Sequence, residues 1–439
     1  MSRPPNRPAV PPASPAPRPP ASAAPVTVRP GWAPALVTVV GAMAAMGVVA
    51  ALGLWAAGAA DLPDDAFWRV VAATMVTAVG GSMELSGDAG ALARTHAGVT
   101  VLPLSVTLTG ALLVGAGFLW PCRHRAVAGA GQLARWAARI AVLWLAALVA
   151  LAFAARQTFA VDLGDGVLGA IGELFGARPR VGFTTDVPLT AGFGLLWLLG
   201  VLAIALLVAR GAPLPARLRR PQASARPVAY AMVVLLLAYV AVGLVVALVT
   251  AATRGHPAQT FALILLGLPN LTWLALTIGL GATWNGRVDG PFGLPAPHLL
   301  DEVLRTPDVS TLNLRTLAEH DHRVWWLVTV DAVLLLAAAF LAATRSPARL
   351  RLWEHAVRMA AALVLTVLLI CLTGRISAHY GLSLLGIGDV GGGLSGELLL
   401  RPRLWSALGL AALWGLATGL LGALPARLVP RRHRGTGRT

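Results

Sequence analysis

Gly31 to Ala60 reads GWAPALVTVV GAMAAMGVVA ALGLWAAGAA, thirty consecutive residues without a charge. As a helix this run rises about 45 Å, more than the roughly 30 Å hydrocarbon core of a bilayer. It is too long for the apolar region of a secretory signal, so it predicts a retained first span rather than a cleaved leader. The 30 residues before it hold 11 prolines and four arginines (Arg3, Arg7, Arg18, Arg29). Such a stretch cannot bury a core and reads as a solvated basic tail, and as a candidate ligand for a proline-recognising protein partner.

The rest of the chain continues the pattern. Of 439 residues, 57% are hydrophobic before the 47 glycines are counted, and 12% are charged. A soluble domain carries roughly 45–50% apolar residues with glycine included. The expected class is an all-α polytopic membrane protein. Further uncharged runs lie near residues 101–120, 140–155, 189–209, 228–252, 324–343, 359–374 and 404–424. Two apolar stretches fit less well. Ala66 to Gly81 is short and carries Arg69, and Phe261 to Thr283 contains Gly267, Pro269 and Asn270. Proline removes a backbone donor and clashes with the preceding turn, which argues against an unbroken span there.

Charge sets the count. All 35 basic residues are arginine. Segments 1–30, 121–139, 210–227, 344–358 and 425–439 together hold 22 arginines and one acid, Glu354; the remainder holds 13 arginines and 18 acids. Arginine-rich short loops stay cytoplasmic. This predicts eight transmembrane helices, both termini in the cytoplasm, and two re-entrant or interfacial segments entering from outside, in the cell membrane. Ten spans is the alternative, and it would put nine arginines and no acid, from 121–139 and 210–227, on the outer face.

The halves echo one another. Gly164-Asp165, Gly172-Glu173-Leu174 and Arg178-Pro179-Arg180 return as Gly388-Asp389, Gly396-Glu397-Leu398 and Arg401-Pro402-Arg403. Arg139 and Arg156 bracket one span as Arg358 and Arg375 bracket another. Four crossings per half keep the second half in the orientation of the first, so the expectation is two parallel repeats related by an axis along the membrane normal. The organisation is then a tail (1–30), a first membrane repeat (31–209), a basic cytoplasmic linker (210–227), a second membrane repeat (228–424) and a basic tail (425–439).

Gly81-Ser82-Met83-Glu84-Leu85-Ser86-Gly87-Asp88-Ala89-Gly90, Leu102-Pro103-Leu104-Ser105-Val106-Thr107-Leu108 and Thr316-Leu317-Ala318-Glu319-His320-Asp321-His322-Arg323-Val324-Trp325-Trp326 resemble the streptophobe family. These are very hydrophobic multi-pass proteins of actinobacteria. The resemblance covers nearly the whole chain apart from the proline tail. It implies a membrane location and a lineage; the family has no established activity, so no site residue is carried over.

Candidate sites follow from polar residues in an apolar chain. Asp165, Glu173, Arg178 and Arg180 with Asp389, Glu397, Arg401 and Arg403 read either as a vestibule selecting ions or an anionic solute, or as an ion-pair clasp between the halves. Asp331 lies about 12 Å along a helix from Arg323. A carboxylate at that depth costs at least about 2.5–3.5 kcal/mol, so it should face protein or water. It reads as a proton or cation site, as a structural partner of Arg69, or as a neutral acid, with a threonine near Thr109 as its counterpart in the first half. Glu84 and Asp88 read as the mouth of the first dipping segment or as a polar return loop. Glu319-His320-Asp321-His322 has ligand-type side chains, but adjacent residues of an extended segment face opposite ways; it reads as an interfacial turn, and no metal site is assigned. Trp32, Trp68, Trp120, Trp284, Trp325, Trp326 and Trp405 are placed as an aromatic belt would place them. Gly415 and Gly419 permit close helix packing, read as intramolecular.

Without lysine the chain has no Walker A loop, Schiff-base lysine or kinase-type ATP site. Two isolated cysteines make no disulfide framework, and no HExxH or GxSxG motif occurs. No catalytic residue, enzymatic activity or cofactor is expected. The basic face should meet anionic lipid headgroups, and nucleic acid is a poor partner for short loops between spans. Two readings of function remain: a permease or channel-like protein for a small solute or ion, and a non-transporting membrane scaffold or assembly factor. A continuous polar cavity between the halves would favour transport, and a dry apolar seam would favour the scaffold.

Overall fold

A bilayer offers the backbone no hydrogen-bond partner, so uncharged runs of Ala, Leu, Val and Gly satisfy their own peptide groups as helices. The structure, a computed structural model, describes residues 31–61, 66–81, 83–88, 93–123, 129–155, 157–160, 180–210, 215–253, 257–288, 310–346, 351–384, 387–389 and 396–428. Its helices are α1 (Trp32–Ala56), α2 (Ala66–Ala78), α3 (Leu104–Arg123), α4 (Ala130–Ala154), α5 (Val187–Val208), α6 (Ala216–Thr253), α7 (Pro257–Gly279), α8 (Leu314–His320), α9 (Trp326–Arg345), α10 (Leu352–Thr373) and α11 (Leu404–Leu428). Among the described residues nine of these, all but α2 and α8, are long and apolar enough to cross a membrane. The chain is an integral membrane protein.

Phe261–Thr283 departs from expectation. Helix α7 runs unbroken through Pro269. The Asn270 side chain fastens this turn to the start of α3: its Nδ2 donates to the Leu102 carbonyl (2.9 Å) and its Oδ1 accepts from the Leu104 amide (3.1 Å). Neighbouring helices can absorb the backbone groups a proline frees, which a sequence alone does not reveal.

The loops at one end of the bundle form strands, a feature the all-α expectation did not contain. These are β1 (Met83–Asp88), β2 (Ala93–Thr100), β3 (Gln157–Ala160), β4 (Arg180–Thr185), β5 (Trp284–Val288), β6 (Ser310–Leu312), β7 (Ile376–Leu384), β8 (Ile387–Asp389) and β9 (Gly396–Pro402). Among the described residues all strand pairings are antiparallel, in the order β3-β4-β1-β2-β7-β9-β5-β6, with β8 beside β7. The halves meet at β2 and β7, which pair from Ala93↔Leu384 to Thr100↔Ser377. Pairing supplies the partners that these loop amides lack locally.

Two apolar cores fill the helical layer. One is built on α1 to α5 around Met46, Phe118, Trp136 and Trp144; the other is built on α6, α7 and α9 to α11 around Leu235, Leu276, Leu335 and Met359. Leu266 of α7 packs on the first core and Leu104 of α3 belongs to the second, so the cores interlock there. Gly53 of α1 leaves the space that Leu266 fills, and Ser105 Oγ donates to the Ile264 carbonyl at 2.9 Å.

Helix directions follow from close contacts. Gly110 meets Met46 and Gly117 meets Thr38, so α1 and α3 are antiparallel. Tyr230 stacks under Arg345 and Tyr239 meets Asp331, so α6 and α9 are antiparallel. Gly415 and Gly419 of α11 lie against the backbone of Ala360 and Ala356 in α10, so this small-residue face is spent inside the chain.

Candidate functional site

Asp331 sits in the second turn of α9 and is completely buried. Its Oδ1 accepts a hydrogen bond from the hydroxyl of Tyr239 on α6. Among the described residues its Oδ2 has no hydrogen-bond partner. The carboxylate points at Gly279, the last residue of α7, where a Cβ would collide with it. Asp331 therefore takes Tyr239 as partner, while Arg69 stands on the exposed side of α2. A half-satisfied carboxyl in an apolar bundle is costly to keep, which marks it as a candidate for proton or cation binding.

The end of α7 is shaped by its turn. Gly281 has φ +94°. Its amide donates to the Ile278 carbonyl (2.8 Å), and the Ala282 amide donates to the Thr277 carbonyl (2.9 Å). This is a Schellman cap, which places glycine in the left-handed region. The chain then enters β5 at Trp284, whose Nε1 donates to Thr277 Oγ1 at 2.9 Å. Trp284 is thus core beneath the sheet and not part of an interfacial belt. Trp32, Trp68, Trp120, Trp325, Trp326 and Trp405 are exposed.

Helix α2 ends the same way. Gly80 has φ +92°; its amide donates to Thr77 (2.9 Å), and the Gly81 amide donates to Val76 (3.0 Å). Where Asp331 faces the end of α7, Thr107 of α3 faces the end of α2, donating its hydroxyl to the Ala78 carbonyl at 2.6 Å. Thr109, the expected counterpart of Asp331, instead bonds within its own helix to Ser105.

The proposed clasp or vestibule is only partly visible. Asp165, Glu173 and Arg178 lie outside the described residues. Arg180 opens β4, opposite Asp88 of β1. Asp389 is opposite Ser383, and Glu397 is opposite His379. Three strands, β1, β2 and β7, separate β4 from β9 in the sheet, so Arg180 and the Glu397–Arg401 segment are not strand neighbours. Arg401 is opposite Asn285, and Arg403 Nε donates to Asn285 Oδ1 at 3.1 Å. The two Arg-Pro-Arg motifs also differ in place: Arg180 begins a strand, whereas Arg403 directly precedes α11. Glu84 lies in β1 between Gly98 and Thr184.

In the Glu319–His322 tract, Glu319 pairs with Arg315 (3.6 Å), His320 Nδ1 meets the Thr316 carbonyl (3.0 Å), and Asp321 caps the Arg323 amide (2.9 Å). Tyr239 and Gly279 were not singled out from the sequence. The available signal was that Tyr239 is one of three tyrosines in the chain and stands in an otherwise apolar run.

Compared with family models, curated proteins and solved structures, the chain shows no match.

Proposed function

We propose that this chain is a permease or channel-like membrane protein for a small solute or ion, with Asp331 and Tyr239 as its intramembrane polar centre. The observation that carries this reading is the buried Asp331 carboxyl with its unpartnered Oδ2 at the end of α7. Ionisable groups in such surroundings face the bundle interior and serve ion or proton pathways by default.

The architecture proposed with it is eight crossings, with α2 and α7 dipping in from the sheet side and returning. In support, α7 begins three residues after α6, which has by then run past the level of Asp331, and it ends at β5. On α6 it reaches Leu236, whose carbonyl accepts from Trp273 Nε1 (3.2 Å). Helix α2 likewise starts after α1 has reached that end, and it leads into β1.

A parallel repeat of 31–209 and 228–424 is supported by matched packing. Helices α1 to α5 contact one another in the pairs that α6, α7, α9, α10 and α11 repeat. The strand order β3-β4-β1-β2 returns as β7-β9-β5-β6. The arginine-rich end opposite the sheet is then cytoplasmic, with both termini, in the cell membrane. Membership of the streptophobe family fits this layout.

The test is flux. The full chain is reconstituted in liposomes carrying a pH-sensitive dye and challenged with a substrate-blind panel of solutes and ions. Asp331→Asn is expected to preserve folding and abolish proton- or cation-coupled flux. Wild-type flux and stability in Asp331→Leu would remove Asp331 from both a transport and a structural role.

The scaffold reading draws on a different observation. Where α7 meets α1 and α3, the seam is built from Gly53, Leu265, Leu266 and backbone-directed bonds of Ser105 and Asn270. A sealed, folded chain that moves no member of the panel would favour it.

A further inference from the structure

The end of the bundle remote from the sheet contains a cavity of about 390 Å³. Arg210 after α5, Arg226 and Tyr230 on α6, and Arg345 at the end of α9 line it, together with Cys122 and Leu119 of α3. The cavity therefore lies where the two cores adjoin. The Arg345 guanidinium stands 3.8 Å from the Tyr230 ring centroid, a cation–π contact that fixes one wall. Like charges from Arg210 and Arg345 act on Arg226. Among the described residues no carboxylate pairs with any of the three.

Three guanidiniums held around one hollow repel one another, and beyond the Arg345–Tyr230 contact no partner among the described residues offsets that repulsion, which a bound anion would do. Guanidinium forks match phosphate oxygens two at a time. The volume is that of a small-molecule site and admits a phosphate group whether free or esterified. Leu119, Val208 and Pro227 give the same cavity an apolar wall.

We propose that this cavity binds a phosphate-type oxyanion through Arg210, Arg226 and Arg345. The phosphate is carried by an anionic lipid headgroup or by a soluble phosphate ion. The site is separate from Asp331, and the inference holds whether or not the chain transports anything.

Cys122 reports occupancy. The full chain carrying Cys371→Ala is placed in nanodiscs of neutral phosphatidylcholine, and the rate of Cys122 alkylation by a small maleimide is measured. Inorganic phosphate is then titrated in, and in a parallel arm phosphatidylglycerol replaces part of the lipid. Slowed alkylation is expected in at least one arm. Protection by phosphate alone assigns a soluble oxyanion; protection by phosphatidylglycerol alone assigns the lipid. Arg226→Gln should weaken protection about fivefold, and Arg226→Gln with Arg345→Gln more than tenfold. Arg226→Lys, which keeps the charge, should lose less than Arg226→Gln. Arg315→Gln, on α8 near the sheet, should change nothing. Melting temperature in phosphatidylcholine alone checks that each variant is folded. No protection in either arm, or equal protection in folded arginine variants, overturns the proposal.

Discussion

The Tyr239 hydroxyl donates to Oδ1 of Asp331, and both side chains are buried where α6 crosses α9. One helix supplies the acid and the other its hydrogen-bond donor, the single one among the described residues. Tyr239→Phe deletes the donor and leaves both carboxyl oxygens without a partner. It is expected to lower stability in detergent by about 1–3 kcal/mol. Adding Asp331→Leu should recover part of that loss, since neither position then carries a buried polar group. Additive losses in the double variant would show that the two groups do not depend on each other.

Gly279 is predicted to be intolerant of any side chain, because a Cβ there meets the Asp331 carboxylate. Gly279→Ala should cost about 1–3 kcal/mol by overpacking. The cost should shrink when Asp331 is shortened to Ser in the same molecule. Thermal unfolding of the two single variants and the double variant measures this coupling directly.

Gly80 and Gly281 carry positive φ at the ends of α2 and α7. Replacing either with Ala should cost about 1–2 kcal/mol, because an L side chain strains the left-handed region. Gly267 lies inside α7 with open space where a Cβ would stand. Gly267→Ala should be neutral or should stabilise by up to about 1 kcal/mol. A loss at Gly267 as large as at Gly281 would mean that helix propensity, not cap geometry, sets these effects.

Single cysteines at Ser224 and Gln157, in a chain lacking Cys122 and Cys371, should label from opposite sides of the membrane. Gln157 lies in β3 of the sheet, and Ser224 lies in the first turns of α6 at the other end. With an impermeant reagent Ser224 should react from the cytoplasm. Labelling of both from one side is incompatible with eight crossings.

A rotation near half a turn about the membrane normal is predicted to superpose 31–209 on 228–424. The contacts between halves are less regular than those within them. Among the described residues the extensive ones are α7 on α1 and α3, α5 on α6, and β2 on β7. An experimental structure that needs an axis in the membrane plane would mean inverted halves, and the charge argument would fail with it.

The sequence by itself determined the class of the chain and the places of eight of the nine long apolar helices among the described residues. Hydrocarbon excludes unpaired backbone and charge, so an uncharged run such as 31–60 has few alternatives to a helix. Arginine placement carries the proposed orientation, since charge acts without regard to packing. Helix α7 is continuous through Pro269, and the adjacent Asn270 reaches back to Leu102 and Leu104, contacts across 168 and 166 residues that no local pattern encodes. The sheet also rests on contacts of that kind. Strands such as Ala93–Thr100 contain glycine and weak alternation, and they acquire their register only from a partner such as Ile376–Leu384. Asp331 was legible as an acid in an apolar run. Its partner was not, because Tyr239 is brought to it only by the packing of α6 on α9, which no local pattern encodes.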